Sequence, residues 1–252
     1  MDTVLLTSYF SKKEHPQHMD PSCYGVCKDG RVKQNDFSYI EKWYNSVKKL
    51  GLKAFIFYDN LNEDFVKKYT TNKIKFIEVE DSKYSNNDWR FFCYARFLKE
   101  NPCDIVFMSD SSDVVVVKDP AELIEEHEDY RYFACEDIIY LSEYQWGLAT
   151  FLKILESAGW AGKDFFVENM KSMKLINMGV IGGRYQDILD FVNLFEAMRL
   201  RYPEESFNMN MSLGNFIFRY ALDKRPILLG DPVTSAYKQF QDSREDVYFI
   251  HK

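Results

Sequence analysis

The sequence predicts an α/β protein with a Rossmann-like, mostly parallel central sheet and helices on both of its faces. Three observations carry this. Short β-branched and aromatic runs alternate with helical periodicity from Val4 to Met108. The segments between those runs are long enough for crossover helices, which parallel strands require. Polar and acidic residues gather where the runs end, and open α/β sheets bind their ligands at the carboxyl ends of strands.

Val4 to Phe10 is the first β-rich run, and Thr7, Ser8 and Tyr9 lie at its end. A polar stretch from Ser11 to Asn35 follows, carrying Pro16, Pro21, Gly25 and Gly30. A connection of that length inside a compact fold belongs to a functional loop. Asp36 then caps a helix with its apolar stripe at Ile40, Trp43, Tyr44 and Val47, and Gly51 ends it. Lys53 to Tyr58 reads as a second strand, ending at Asp59, and Ile74 to Val79 as a third. Trp89, Phe92, Cys93 and Phe97 repeat at helical spacing over Asn87 to Leu98. Strand four is Ile105 to Met108. Further on, Tyr132 to Cys135 reads as a strand running into Glu136 and Asp137. The Leu175–Gly183 segment is apolar with closely placed glycines, Tyr185 to Arg201 is a helix, and another helix runs from about Met209 to Leu222. The closing run Val247–Ile250 delivers His251 and Lys252.

The most informative break is Ser109-Asp110-Ser111-Ser112-Asp113, set between Ile105–Met108 and Val114–Val117. Carboxylates this close raise each other's pKa unless a cation neutralises both. Hard oxygen ligands suit Mn²⁺ or Mg²⁺. An ordinary strand-end turn uses the same residue types for backbone hydrogen bonding, and the segment alone leaves both readings open. The net charge of −7 and the absence of a Lys/Arg block argue against nucleic-acid binding. No apolar stretch approaches the length of a transmembrane span. Five cysteines without framework spacing read as reduced thiols and a cytoplasmic setting, or as a soluble domain cut from a larger chain. Seventeen tyrosines and 21 phenylalanines fit either sugar stacking or a bulky core.

Taken in order, these marks resemble a glycosyltransferase of the GT-A fold: a first strand at Val4–Phe10, a second ending in Asp59, Asp110-Ser-Ser-Asp113, Asn177-Met-Gly-Val-Ile-Gly-Gly183, and the late His251. Asp119-Pro120 after the valines adds to it. The D-x-x-D form is similar to that of the collagen lysine glucosyltransferase domain and of small microbial and viral transferases. The resemblance implies one domain over 1–252, with a nucleotide-binding half to about 117 and an acceptor-binding half from about 118 to 252. It implies a Mn²⁺ (or Mg²⁺) site of Asp110, Asp113 and His251. It further implies a nucleotide-sugar donor, a UDP-sugar above all, and a glycan or glycoconjugate acceptor. The donor would be held by Thr7, Ser8, Tyr9, Asp59, Arg90 or Arg96, Asp110, Ser111, Ser112, Asn177, Gly179, Gly182, Gly183 and Lys252. Each has a plainer use: Asp59 as the cap of a helix over Leu61–Lys68, the arginines as solvated charges, the glycines as a bulge or bend in a strand, and His251 as a frayed terminus.

One departure affects the stereochemistry. Relatives that invert configuration carry an acidic base where this chain reads Phe207-Asn-Met-Asn-Met-Ser212, and Asn208 and Asn210 cannot accept a proton as a base does. Either configuration is retained, or the base is Glu136 or Asp137, which join Asp113 as the catalytic candidates. The aromatic segment Tyr140–Trp160, with Tyr144 and Trp146, is the expected acceptor surface. Alternatives are a sugar-nucleotide nucleotidyltransferase, although Ser11-Lys-Lys-Glu-His15 lacks the glycines of a triphosphate loop, and an inactive carbohydrate-binding relative. His15, His18, Cys23 and Cys27 form a weaker zinc pattern whose spacing is irregular for a structural site.

Overall fold

Seven strands form the central sheet in the order β3-β2-β1-β4-β7-β6-β8, and a separate two-stranded ribbon pairs β5 with β9. The strands are β1 (Thr3–Tyr9), β2 (Lys53–Tyr58), β3 (Ile74–Glu78), β4 (Ile105–Ser109), β5 (Val114–Val116), β6 (Tyr132–Tyr140), β7 (Lys174–Arg184), β8 (Ile227–Leu229) and β9 (Phe249–His251). This is a computed structural model, and it describes residues 1–16, 30–157, 159, 168, 170–202, 208–222, 225–239 and 241–252. Strands β3, β2, β1 and β4 run parallel, as do β6 and β8. Strand β7 is antiparallel to both of its neighbours, β4 and β6.

Local chemistry sets the helix ends. Asp36 accepts from the Ser38 N–H ahead of a short 3-10 turn. Helix α1 (Glu41–Leu50) then stops at Gly51, whose φ of 67° suits a residue without a Cβ. Helix α2 (Glu63–Tyr69) is capped by Asn62 through the Phe65 N–H. Asp59 does not cap it, because its carboxylate is turned to the other side of the strand end. Ser85 caps α3 (Asn86–Glu100), and Asp119 followed by Pro120 caps α4 (Pro120–Glu126). Proline is well placed there, since the first helical N–H has no intrahelical partner to lose. Helices α5 (Gln145–Ser157), α6 (Tyr185–Arg199) and α7 (Asn210–Phe216) follow among the described residues, and α7 continues as a π-helical turn over Ile217–Ala221.

Both faces of the sheet are covered, which gives two cores. Helices α3, α5, α6 and α7 pack Phe91, Phe92, Phe151, Phe191, Phe195 and Leu213 on one face. Helices α1, α2 and α4, with the ribbon, pack Trp43, Val47, Phe65, Leu123, Val114 and Phe249 on the other. A buried ion pair ties the first layer: Arg199 of α6 donates to Asp88 of α3 at 2.7 Å, and both side chains are fully buried. The Met209 N–H before α7 also donates to Asp88, at 3.0 Å. Among the described residues no helix is long and apolar enough to cross a membrane, and Cys93, Cys103 and Cys135 are free thiols.

Candidate functional site

The ribbon brings the two ends of the site together. Val114 pairs with His251 across β5 and β9, so the final strand lies directly beside the acidic break. The Lys252 N–H donates to the Asp113 carbonyl at 3.0 Å, and the His251 N–H to Ser235 Oγ at 3.0 Å. These bonds carry His251 inward to 1 % exposure. Its Nε2 lies 3.6 Å from Asp113 Oδ2, beyond hydrogen-bond length. One ligand atom from each of Asp110, Asp113 and His251 lies within 4.8 Å of the other two.

A register break in β7 opens the floor. Ala134 pairs with Ile181, and an unbroken ladder would then pair Cys135 with Val180, but Cys135 pairs with Asn177. Over the displaced residues β7 follows β4 instead: Ser109 pairs with Val180, and the Asp110 N–H donates to the Gly179 carbonyl at 2.8 Å. Asn215 of α7 takes both backbone groups of Ile176 just below the break. Gly179 therefore faces the ligand atoms. A Cβ there would come within 2.2 Å of His251 Cε1, 2.6 Å of Nε2 and 2.9 Å of Asp110 Oδ2.

Arg90 of α3, almost fully buried, pairs with Asp110 Oδ1 and donates to the Met178 carbonyl at 3.0 Å. Burial works against the charge of Asp110, but Arg90 and His251 outweigh it and hold the carboxyl below its ordinary range. Burial also favours a neutral His251, yet the neighbouring Cys135 sulfur and Asp113 carboxylate raise the ring's pKa well above its usual value. Bound cations compete with that proton, so an imidazole and two carboxylates form a donor set able to hold Mn²⁺ or Mg²⁺. Ligand atoms about 2.1 Å from a small divalent ion stand roughly 3 to 4 Å apart, and the 3.6 Å between His251 Nε2 and Asp113 Oδ2 lies in that range.

Other expected residues divide. Ser111 Oγ donates to the Ser8 carbonyl at 3.0 Å, Ser112 sits next to Asp113, and Thr7 Oγ1 donates to the Ser109 carbonyl at 2.7 Å. These bonds hold the ends of β1 and β4 in register. Tyr9 is fully buried, with its hydroxyl donating to the Lys33 carbonyl and its ring near Tyr39 and Phe65. Both Asp59 oxygens accept backbone N–H groups, from Ser11 at 2.8 Å and Lys12 at 3.2 Å, while burial raises its pKa. Lys252 pairs with Asp242 at 2.8 Å. Asp137 is buried, and its Oδ2 accepts from Asn177 Nδ2 at 3.0 Å; Asn177 Oδ1 in turn accepts the Gly179 N–H at 2.8 Å.

Five expected residues lie away from the cluster. Glu136 lies against Gly230, a strand position away from Asp137 and so on the opposite face of β6. Arg96 sits beyond Arg90 on α3 and stacks over Trp89 at 4.9 Å, lining a separate cleft with Phe57, Ile77 and Phe97. Gly182 makes room for the Phe107 ring, at 2.1 Å from an added Cβ, and Gly183 for the Arg131 carbonyl, at 2.5 Å. Those two glycines serve sheet packing, whereas Gly179 serves the site. Tyr144 is 3 % exposed, so its ring belongs to the core. The Trp160 position and His18, Cys23, Cys27 and Phe207 lie outside the described residues, as does the side chain of Trp146.

Two neighbours of His251 carried no sequence signal. Cys135 Sγ lies 3.1 Å from its Nδ1, and the Tyr237 ring lies 4.5 Å away at 43°. The Tyr237 hydroxyl is pushed up by burial and by the charges of Asp113, Asp110 and Asp137. Cys135 is 116 positions from His251 in the chain, and their strands belong to different sheets, so the two meet through side chains alone.

No protein-family model matches this chain, and no curated protein matches it. Solved structures do. The chain is similar to an active-site mutant of LgtC, with a TM-score of 0.55, 11% identity, and coverage of 98% of this chain and 86% of that one. It is similar to the galactosyltransferase LgtC in complex with donor and acceptor sugar analogs, at 0.53 and 11% identity, with the same coverage of 98% and 86%. A glycosyltransferase involved in glycosylation of the major capsid of PBCV-1 aligns at 0.50 and 14% identity, over 100% of this chain and 92% of that one. The fold is of the GT-A type. That assignment agrees with the mostly parallel seven-stranded sheet and its flanking helices.

Proposed function

We propose that this chain is a metal-dependent glycosyltransferase that moves a sugar from a nucleotide donor, a UDP-sugar by the sequence resemblance, to a hydroxyl of a glycan or glycoconjugate. The observation that carries the reading is the convergence of Asp110, Asp113 and His251 over Gly179 in a GT-A fold. Asp110, Asp113 and His251 would hold Mn²⁺ or Mg²⁺, which when bound supplies Lewis-acid stabilisation of the charge on a departing diphosphate. Arg90 neutralises Asp110 from behind and fixes its direction, so the site keeps its shape without a ligand. Lys252 stands at the same edge and offers an ammonium to the donor's phosphates. Asp137, held by Asn177, is the carboxylate available to an acceptor hydroxyl's proton, and its neighbour Glu136 is turned away.

The deciding experiment is a screen of nucleotide sugars for donor hydrolysis and transfer, with Mn²⁺ and with chelator. The reading expects one donor class to turn over with Mn²⁺ only. Mn²⁺ binding without turnover of any donor would favour an inactive carbohydrate-binding protein. Formation of nucleotide sugar from a nucleoside triphosphate would favour the nucleotidyltransferase.

A further inference from the structure

We infer that Cys135 is the positioning residue for His251: its sulfur accepts the Nδ1 hydrogen and so aims Nε2 at Asp110 and Asp113. The inference rests on the metal reading of those three residues. Cys135 and His251 are 0% and 1% exposed, so bulk solvent does not compete for either atom. The Sγ–Nδ1 distance is 3.1 Å, and the same sulfur lies 3.5 Å from the Glu136 carbonyl oxygen. A carbonyl only accepts, so the single thiol proton is directed to Glu136. With the thiol proton so placed, the hydrogen between sulfur and ring comes from Nδ1. That leaves Nε2 facing the two carboxylates, with Asp113 Oδ2 at 3.6 Å.

The rest of the shell sets the backbone of His251 and covers its ring. Pairing with Val114 and the bond to Ser235 set its backbone. Tyr237 covers the ring from one side at 4.5 Å, a contact without hydrogen-bond direction. Cys135 supplies the direction. Metal-binding imidazoles are generally held this way through their second nitrogen, most often by a carboxylate or a carbonyl. A thiol does the same here with a softer acceptor that also packs as an apolar group in the core beside Phe133 and Val180. The competing view of Cys135 is that it only fills space. Valine would fill the same space with no acceptor, and serine would keep an acceptor with less bulk.

The test compares full-length wild type, Cys135→Val and Cys135→Ser. In metal-free protein, the Nδ1–H proton resonance of His251, assigned by its absence in His251→Gln, should be protected in wild type. It should be lost in the valine variant and kept in the serine variant. Titration with Mn²⁺ alone should show affinity about 10- to 100-fold weaker for Cys135→Val. Cys135→Ser should recover most of that loss, with metal-free melting temperatures of both close to wild type. Equal Mn²⁺ affinity in wild type and Cys135→Val overturns the inference, as does an Nδ1–H resonance unchanged in that variant. If the valine variant fails to fold, Cys135→Ala is read by the same two measurements. A wild type that shows the Nδ1–H bond to Cys135 yet binds no Mn²⁺ supports the role of Cys135 in holding the ring and sinks the metal reading instead.

Discussion

Asp113 tests the site at its most economical point. Its side chain is about a quarter exposed, so removing it should cost little stability. Asp113→Ala should cut turnover by roughly 10²-fold or more, the scale on which lost electrostatic stabilisation is felt. Retention of over about a tenth of wild-type turnover would take Asp113 out of the machinery. The glycines of β7 give a sharper contrast. Gly179→Ala would drive a methyl group into the His251 ring and Asp110, and should abolish Mn²⁺ binding. Gly182→Ala meets the Phe107 ring instead and should lower stability by about 1–3 kcal/mol, as overpacking does, with Mn²⁺ affinity kept. Calorimetric Mn²⁺ titration and thermal melts on both variants separate the roles. The family resemblance grouped Gly179, Gly182 and Gly183 at the donor, and sequence alone cannot say which way a strand faces after a register break.

Among the elements, α3 has the most dependents. Its inner face carries Arg90 to the Asp110 carboxylate, and its Asp88 holds both Arg199 of α6 and the start of α7. Truncating one partner of a buried ion pair leaves the other charge stranded in a low dielectric. Asp88→Ala should therefore destabilise the fold by about 3–5 kcal/mol, measured by denaturant unfolding. A loss below about 1 kcal/mol would mean that Arg199 finds another anion or water. Elements with a strong period or a clear cap were legible in the sequence: α1 between Asp36 and Gly51, β2, and α3. Others were not. The aromatic residues of the Tyr140–Trp160 segment suggested a sugar surface, although Tyr144 and Phe151 are buried. The three-residue strand β8 is too short to leave a pattern.

At the scale of the whole molecule, the site depends on contacts that sequence spacing cannot show. The fold class and the D-x-x-D break were legible because both are local: alternation of periods, and two carboxylates in one turn. The pairing of residue 114 with residue 251, and of Cys135 with His251, arises only when the sheet is assembled and the ribbon closes over it. This makes the last strand a separable part. Its apolar residues Val247, Tyr248, Phe249 and Ile250 are buried, and Phe249 stacks on Phe107 at 5.3 Å, so they anchor the strand without help from His251 or Lys252. Those last two residues add the imidazole, the ammonium and the bond to the Asp113 carbonyl. Deleting both should leave the metal-free melting temperature within a few degrees of wild type, since the packed apolar residues of the strand all remain. Mn²⁺ affinity in the presence of nucleoside diphosphate should fall by roughly 10-fold or more, because one of three protein ligands is gone. Equal affinity in truncated and full-length protein would remove His251 from the metal site. A melting temperature lowered by tens of degrees would instead show that the ribbon holds the fold, not only the site.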